Sequence, residues 1–221
     1  MLSPKGGVGK TTTALVLATG LAAEGASVTV IDADPNCPLV KWAALDGKPE
    51  NIEVIAEIDE ERIIETIDDA RKRSAFVVVD LEGRASARTT NALLMSNLAL
   101  IPIQGSGLDA DQALRAFQSV RSAARVRERP IAYAAVLNRT PGTRRLWSRD
   151  LKAIVSNLEE AGIQIIATPL AERGAFRGLF SSGGTLATLD PAHVASLDAA
   201  RENASAFVAD VLAALRQGVR A

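Results

Sequence analysis

The first turn, Ser3-Pro4-Lys5-Gly6-Gly7-Val8-Gly9-Lys10-Thr11-Thr12, constrains the chain more than any other stretch. Glycines between a strand and a helix let backbone N–H groups converge on one point, because no Cβ blocks the approach, and the positive end of the helix favours an anion there. Lys10 can reach terminal phosphates and the Thr11 hydroxyl can ligate Mg²⁺, which is the chemistry of a P-loop. With glycine at about 7% of residues, Lys-Gly-Gly-x-Gly-Lys-Thr arises by chance in roughly one chain in tens of thousands. The reading is therefore a nucleotide site, with Gly6, Gly7, Val8, Gly9, Lys10, Thr11 and Thr12 around the phosphates.

One detail departs from the general pattern. Counting back from Gly9, the first glycine of G-x-x-x-x-G-K-[ST] falls on Pro4, and an additional lysine, Lys5, precedes the glycine pair. This variant resembles the deviant Walker A motif of the ParA/MinD family of ATPases. In that family the equivalent of Lys5 reaches across a dimer interface to the phosphates held by the other subunit. The resemblance implies ATP and Mg²⁺ as cofactors, a homodimer that sandwiches two ATP molecules, and catalytic roles for Lys5 and Lys10.

Beyond the first turn, short β-branched runs alternate with helical stretches. A helix is expected over 11–24, closed by Gly25, then a buried strand, Ser27 to Asp32, leading into Asp32-Ala33-Asp34-Pro35-Asn36. Carboxylates at the carboxyl end of a parallel strand stand where open α/β sheets gather their ligands. The resemblance makes this the switch I segment, with Asp34 positioning or activating the attacking water and Asp32 supporting magnesium-bound waters. A second run, Phe76-Val77-Val78-Val79, ends in Asp80, whose place at a strand tip fits the Walker B role of holding the Mg²⁺ shell. The resemblance implies that Gly83, like the switch II glycine of related ATPases, offers its N–H to the γ-phosphate. Family members often carry Pro or Gly where Glu82 stands here; a second catalytic carboxylate and a solvent-facing loop residue are both open, the latter favoured.

Further strands are expected at 53–56, 98–103, 131–138 and 163–167, and helices at 59–71, 86–95, 108–127, 143–161, near 172 and over 194–215. Strands alternating with helices of this length mean a single doubly wound α/β domain, a mostly parallel sheet covered on both faces. The 48% apolar content is enough for such a core. Only residues 1–3 precede the P-loop, against about 5–6 in an ordinary strand, so the first strand is either very short or begun upstream. Asn138 closes its strand, and the resemblance places the family's base-binding residue at or next to it; a turn-forming asparagine is the alternative.

Charge is unevenly spread. Residues 46–69 hold ten acidic residues against two basic ones, and residues 115–152 hold ten basic against two acidic (Glu128 and Asp150). Arg145, Arg149 and Lys152 fall at i, i+4 and i+7, one face of a helix, with Arg144 adjacent, and Arg121 and Arg125 share a face of the helix before it. Such a surface neutralises phosphates without reading bases, so nonspecific DNA is the expected partner, with an ordinary solvated helix surface as the alternative. The single cysteine, Cys37, excludes an intramolecular disulfide and fits a reducing cytoplasm. No helix-turn-helix segment precedes the P-loop, so the chain is similar to short ParA forms, working with a ParB-like or other activating protein. A MinD-like membrane cycle would need an amphipathic basic terminal helix, which the alanine-rich stretch 204–214 does not provide, so no stable membrane association is expected. A metabolic P-loop ligase of the dethiobiotin synthetase type is the more distant alternative.

Overall fold

The computed structural model describes residues 1–3, 7–83, 86–105 and 107–218, and for 107–112 the backbone. Among the described residues, six parallel strands form two halves. β1 (Val28–Ala33) lies between β2 (Ile52–Ala56) and β3 (Phe76–Leu81), while β5 (Ala132–Thr140) lies between β4 (Leu98–Ile103) and β6 (Leu170–Ala171). Residues 1–3 join the halves: the Met1 amino group donates to the Val79 carbonyl of β3, and Leu2 N–H donates to the Leu100 carbonyl of β4 at 3.0 Å. Below Met1 the flanking strands stand apart around a cavity of about 340 Å³ lined by Phe76, Leu98, Leu21 and Leu215.

Alternation along the strands sends side chains to two separate apolar layers. Val28, Val30 and Val136 face one layer with Leu15 and Leu21 of α1 (Lys10–Ala23), Trp42 of α2 (Pro38–Ala43), Leu179 of α7 (Gly174–Ser182) and Phe207 of α8 (Leu197–Gly218). Ile31, Ile101 and Ala135 face the other, with Ile63 and Ile67 of α3 (Ile63–Arg73), Leu93 of α4 (Ala87–Met95), Phe117 of α5 (Gly107–Arg127) and Ile154 of α6 (Arg149–Glu160). This is the doubly wound arrangement. Helices α1 and α8 cross closely at Gly20, where a Cβ would come within 2.5 Å of Val208.

The structure corrects three expectations. The helix expected over 143–161 is two elements. Arg144–Leu146 form one 3-10 turn, Trp147 is extended, and α6 starts only at Arg149 because the Ser148 hydroxyl accepts the Leu151 N–H at 3.1 Å as an N-cap. The strand expected over 163–167 is a single bridge, Ile165 to Ala135, because Thr168 N–H turns away to the Asp210 carboxylate and Pro169 has no N–H to give. The terminal helix begins at Leu197, after the left-handed Ser196, rather than at 194. One element was not anticipated: α2, six residues long, directly after the Asp34 loop.

Candidate nucleotide-binding site

At the upper edge of the sheet the chain enters α1 through Gly7 (φ 78°), buried Val8 and Gly9 (φ 95°). Gly9 is the N-cap and no side chain caps α1, so the first-turn N–H groups at Lys10, Thr11 and Thr12 face outward, as an anion requires. The carbonyls of the loop are turned inward and held. Gln104, just beyond β4, donates to Gly7 O at 2.9 Å, and Asn138 Nδ2 donates to Val8 O at 2.9 Å and to the Thr13 hydroxyl at 2.9 Å. That hydroxyl in turn donates to Gly9 O at 2.8 Å. A Cβ at Gly9 would stand 2.6 Å from Asn138 Nδ2, so glycine is required there by conformation and by space alike. Lys5 and Gly6 lie outside the described residues.

Asp32 and Asp80 are paired in register across β1 and β3, and both are fully buried. Their surroundings differ. Asp32 Oδ2 accepts the N–H groups of Leu39 (2.7 Å) and Val40 (3.0 Å), and Oδ1 that of Asp34 (3.3 Å). Asp32 therefore pins the start of α2 and shapes the loop between. Burial raises its pKa, and those three N–H groups oppose the rise. Neither oxygen of Asp80 completes a hydrogen bond of ordinary geometry among the described residues. Burial pushes its carboxyl up to about 6, tempered by the Met1 amino group, the nearby Thr11 hydroxyl and Lys10. Burial lowers the Lys10 pKa, which Asp80 and Asp34 in turn raise. A buried carboxylate without donors is costly unless a cation comes to it. Asp34 stands half-buried beside this cluster, with Oδ1 held by the backbone and side-chain amides of Asn36 at 2.8 and 2.9 Å.

Glu82 and Gly83 follow Asp80 on the loop. Gly83 is half-buried. Glu82 meets Arg88 at 3.1 Å, both largely buried, and Arg88 also donates to Ile58 O at 2.6 Å. The solvent-facing reading of Glu82 does not hold, because α4 brings Arg88 back over the loop. Asn138 is no turn residue either: it is buried, and its amide nitrogen is committed to the P-loop. Its orientation is not ambiguous, since Val8 O can only accept. Its Oδ1 has no partner among the described residues. Beside it a small hollow is lined by Gly9, Thr12, Arg139, Leu170, Arg173 and Arg177.

A family model described as VirC1 protein matches residues 1–216. Protein ParA of Rhizobium radiobacter is 38% identical over 219 residues, 99% of this chain and 97% of that protein. The chain belongs to the VirC1/ParA family. Protein virC1 of Rhizobium rhizogenes is 29% identical over 184 residues, 81% of this chain and 78% of that protein. Among solved structures, apo McdA of Cyanothece superposes with a TM-score of 0.76 at 16% identity, covering 94% of this chain and 97% of its own. The cell division ATPase MinD of Pyrococcus furiosus gives 0.74 at 18% identity, with 96% of each chain covered. The septum site-determining protein MinD of Pyrococcus horikoshii, complexed with Mg-ADP, gives 0.72 at 17% identity, covering 96% of this chain and 95% of its own. These neighbours share the fold.

In this family member the basic residues do not form one face. Arg121, Arg125, Arg144, Arg145, Arg149 and Lys152 are all exposed. The break at Ser148 separates Arg144 and Arg145 from the helix that carries Arg149 and Lys152, so the expected i, i+4, i+7 stripe is absent. Arg121 lies far down α5, donating to the Tyr133 hydroxyl at 3.2 and 3.3 Å near the start of β5. Arg144 follows the end of that strand, about 20 Å higher at the rise of a β-strand. Two basic patches result, one at each edge of the sheet. Arg127 joins neither, being committed to the Ser96 carbonyl at 2.5 Å.

Proposed function

We propose that this chain is a Mg²⁺-dependent ATPase of the partition and positioning type. It binds ATP at the P-loop, closes as a dimer over two nucleotides and holds nonspecific DNA in that state. Hydrolysis, stimulated by a ParB-like or other partner protein, releases the DNA. The observation that carries this reading is Asp80, fully buried with neither oxygen in a hydrogen bond of ordinary geometry among the described residues, beside Lys10 and Thr11 at the mouth of a braced P-loop. A buried carboxylate lacking well-formed hydrogen bonds in that place fits a divalent cation accompanying a polyphosphate.

Thr11 and Asp80 would hold Mg²⁺, with Asp32 behind them, and the cation supplies neutralisation of phosphate charge. Lys10 and the first-turn N–H groups bind the terminal phosphates, and the Gly83 N–H reaches the γ-phosphate. Asp34 orients the attacking water, and Lys5 reaches the partner's nucleotide. Phosphoryl transfer to water asks mainly for this positioning and charge neutralisation. The base lies in the hollow beside Asn138, whose unpartnered Oδ1 is an acceptor and therefore suits the exocyclic amine of adenine. Arg121, Arg125, Arg144, Arg145, Arg149 and Lys152 contact DNA phosphates. A membrane-bound cycle has less support. The inner face of α8, from Leu197 through Phe207 to Ala214, is buried, and among the described residues no helix is long and apolar enough to cross a membrane.

The test is ATP turnover and ATP-dependent dimerisation of the wild type and Lys5→Ala, with duplex DNA binding followed in ATP, ADP and no nucleotide across a salt series. Salt-sensitive DNA binding confined to ATP, together with loss of dimers in Lys5→Ala, is expected. Normal dimers and turnover in Lys5→Ala would overturn the sandwich. Dimers that bind no DNA in any nucleotide would remove DNA as the matrix.

A further inference from the structure

We propose that the turn Arg144–Trp147 is a DNA wedge: Leu146 inserts between base pairs from the minor groove while the cations around it grip the flanking phosphates. The proposal rests on the DNA-binding reading above and adds to it the mode of contact.

Leu146 is 68% exposed although its neighbours are firmly held. Leu146 N–H donates to Thr143 O at 3.0 Å and Trp147 N–H to Arg144 O at 3.2 Å, closing the 3-10 turn. On the following side the Trp147 ring packs against the small cluster of Leu137, Leu151 and Val155, and Ser148 caps α6. The Arg144 guanidinium lies 5.4 Å from the centre of that ring, so the arginine is stacked in place. A backbone fixed on both sides therefore holds one bulky aliphatic side chain out in water. Such exposure forgoes apolar burial, and pre-organisation of this kind lowers the entropy lost on binding.

The charge around it selects the partner. Residues 139–152 hold five basic residues (Arg139, Arg144, Arg145, Arg149 and Lys152) against one acidic, Asp150. All five are exposed, and none is in an ion pair among the described residues. One apolar side chain among several cations matches the aliphatic wedges with which architectural proteins unstack and kink a duplex. A membrane surface asks instead for a continuous apolar face, and Leu146 is the one exposed large aliphatic in this segment.

The experiment uses the full chain with ATP and Mg²⁺ on a nonspecific duplex labelled at both ends, reading affinity across a salt series and bending by energy transfer. Leu146→Ala, Arg145→Ala and Val126→Ala are compared with wild type; Val126, 71% exposed among the arginines of the opposite patch, is the control. Wild type is expected to bend DNA. Leu146→Ala is expected to lose the bend and roughly tenfold in affinity with the salt slope unchanged. Arg145→Ala is expected to lower the slope by about one, and Val126→Ala to behave as wild type. Wild-type DNA binding that Leu146→Ala reproduces, bend included, would overturn the wedge and leave the DNA reading standing. No DNA binding by wild type would overturn both. Loss of binding to anionic phosphatidylserine vesicles in Leu146→Ala, with DNA binding intact, would overturn the wedge in favour of a membrane contact.

Discussion

Asn138 Nδ2 sits 2.9 Å from the carbonyl of Val8, a residue 130 positions earlier, and so fastens the end of β5 to the underside of the P-loop. The same nitrogen holds Thr13, and its bulk excludes any side chain at Gly9. Asn138→Ala leaves Val8 O buried without a donor, at a cost of about 1–3 kcal/mol. It also frees the loop to turn its carbonyls toward the phosphates. Unfolding in urea should show that loss, and titration with a fluorescent ATP analogue should show affinity down by roughly tenfold or more. Asn138→Asp removes the donor and adds a negative charge, so nucleotide should bind more weakly still. Should Asn138→Ala lose adenine-over-guanine preference while keeping its stability, base contact rather than bracing would be its main role.

Asp80 makes the apo protein sensitive to pH. Its carboxyl is raised to about 6 in the fold, above the ordinary value near 3.9. A raised pKa means that the folded state holds the proton more tightly than the unfolded one. This contribution is fully present below about pH 4 and is lost as pH climbs through about 6, while the Met1 amino group beside it, lowered to about 6 by burial, contributes the opposite trend between about pH 6 and 8. Asp80→Asn should lack that part of the pH dependence and exceed the wild type in apo stability at pH 7.5, yet show no Mg²⁺-dependent turnover. Thermal unfolding from pH 4.5 to 7.5 checks the first point. Identical pH profiles for the two proteins would refute it.

These two residues also mark what a linear reading reaches. The βα alternation was legible because β-branched runs and glycine stops are local signals, and Asp32 and Asp80 were legible as strand ends. What Asp32 does was not. Its partners, Leu39 and Val40, belong to a helix of six residues, too short for periodicity to announce and held in place by that very carboxylate. Asn138 was singled out, but its bonds to Val8 and Thr13 span more than 120 residues and exist only in the folded chain. Gln104 was missed for the same reason. The broken basic helix is a different failure. Ser148 followed by Asp150 is a readable N-cap, and the arginine spacing runs straight across it.

Glu82 and Arg88 form an almost fully buried pair, which gives Glu82 a test free of its sequence context. Removing one partner of a buried pair strands the other charge and typically costs about 3–5 kcal/mol. Glu82→Gln keeps the shape but not the charge, so its unfolding temperature should fall clearly, and Arg88→Met should fall alongside it. The double variant Glu82→Met/Arg88→Met should recover much of the loss. A catalytic Glu82 would behave otherwise: turnover would vanish in Glu82→Gln at a temperature where its fold and unfolding transition match the wild type.

Asp32 and Asp34 should separate structural from chemical work at the same loop. Asp32 accepts three backbone N–H groups with its two oxygens. Asn at that position offers one acceptor oxygen and two donors, so at least one of those groups faces an amide nitrogen instead. Asp32→Asn should therefore lower stability by about 1–2 kcal/mol and loosen α2, whose Trp42 indole N–H reaches Gly184 O at 3.1 Å on the other side. Turnover should fall in this variant too, through displacement of the Asp34 loop. Asp34→Asn, at a half-buried carboxylate whose Oδ1 accepts from Asn36, should keep the fold and the affinity for ATP and lose turnover by a hundredfold or so, the usual scale for a removed general base. Single-turnover kinetics beside calorimetric unfolding distinguishes the two. Equal stability losses in both variants would mean that Asp34, like Asp32, serves the loop rather than the water.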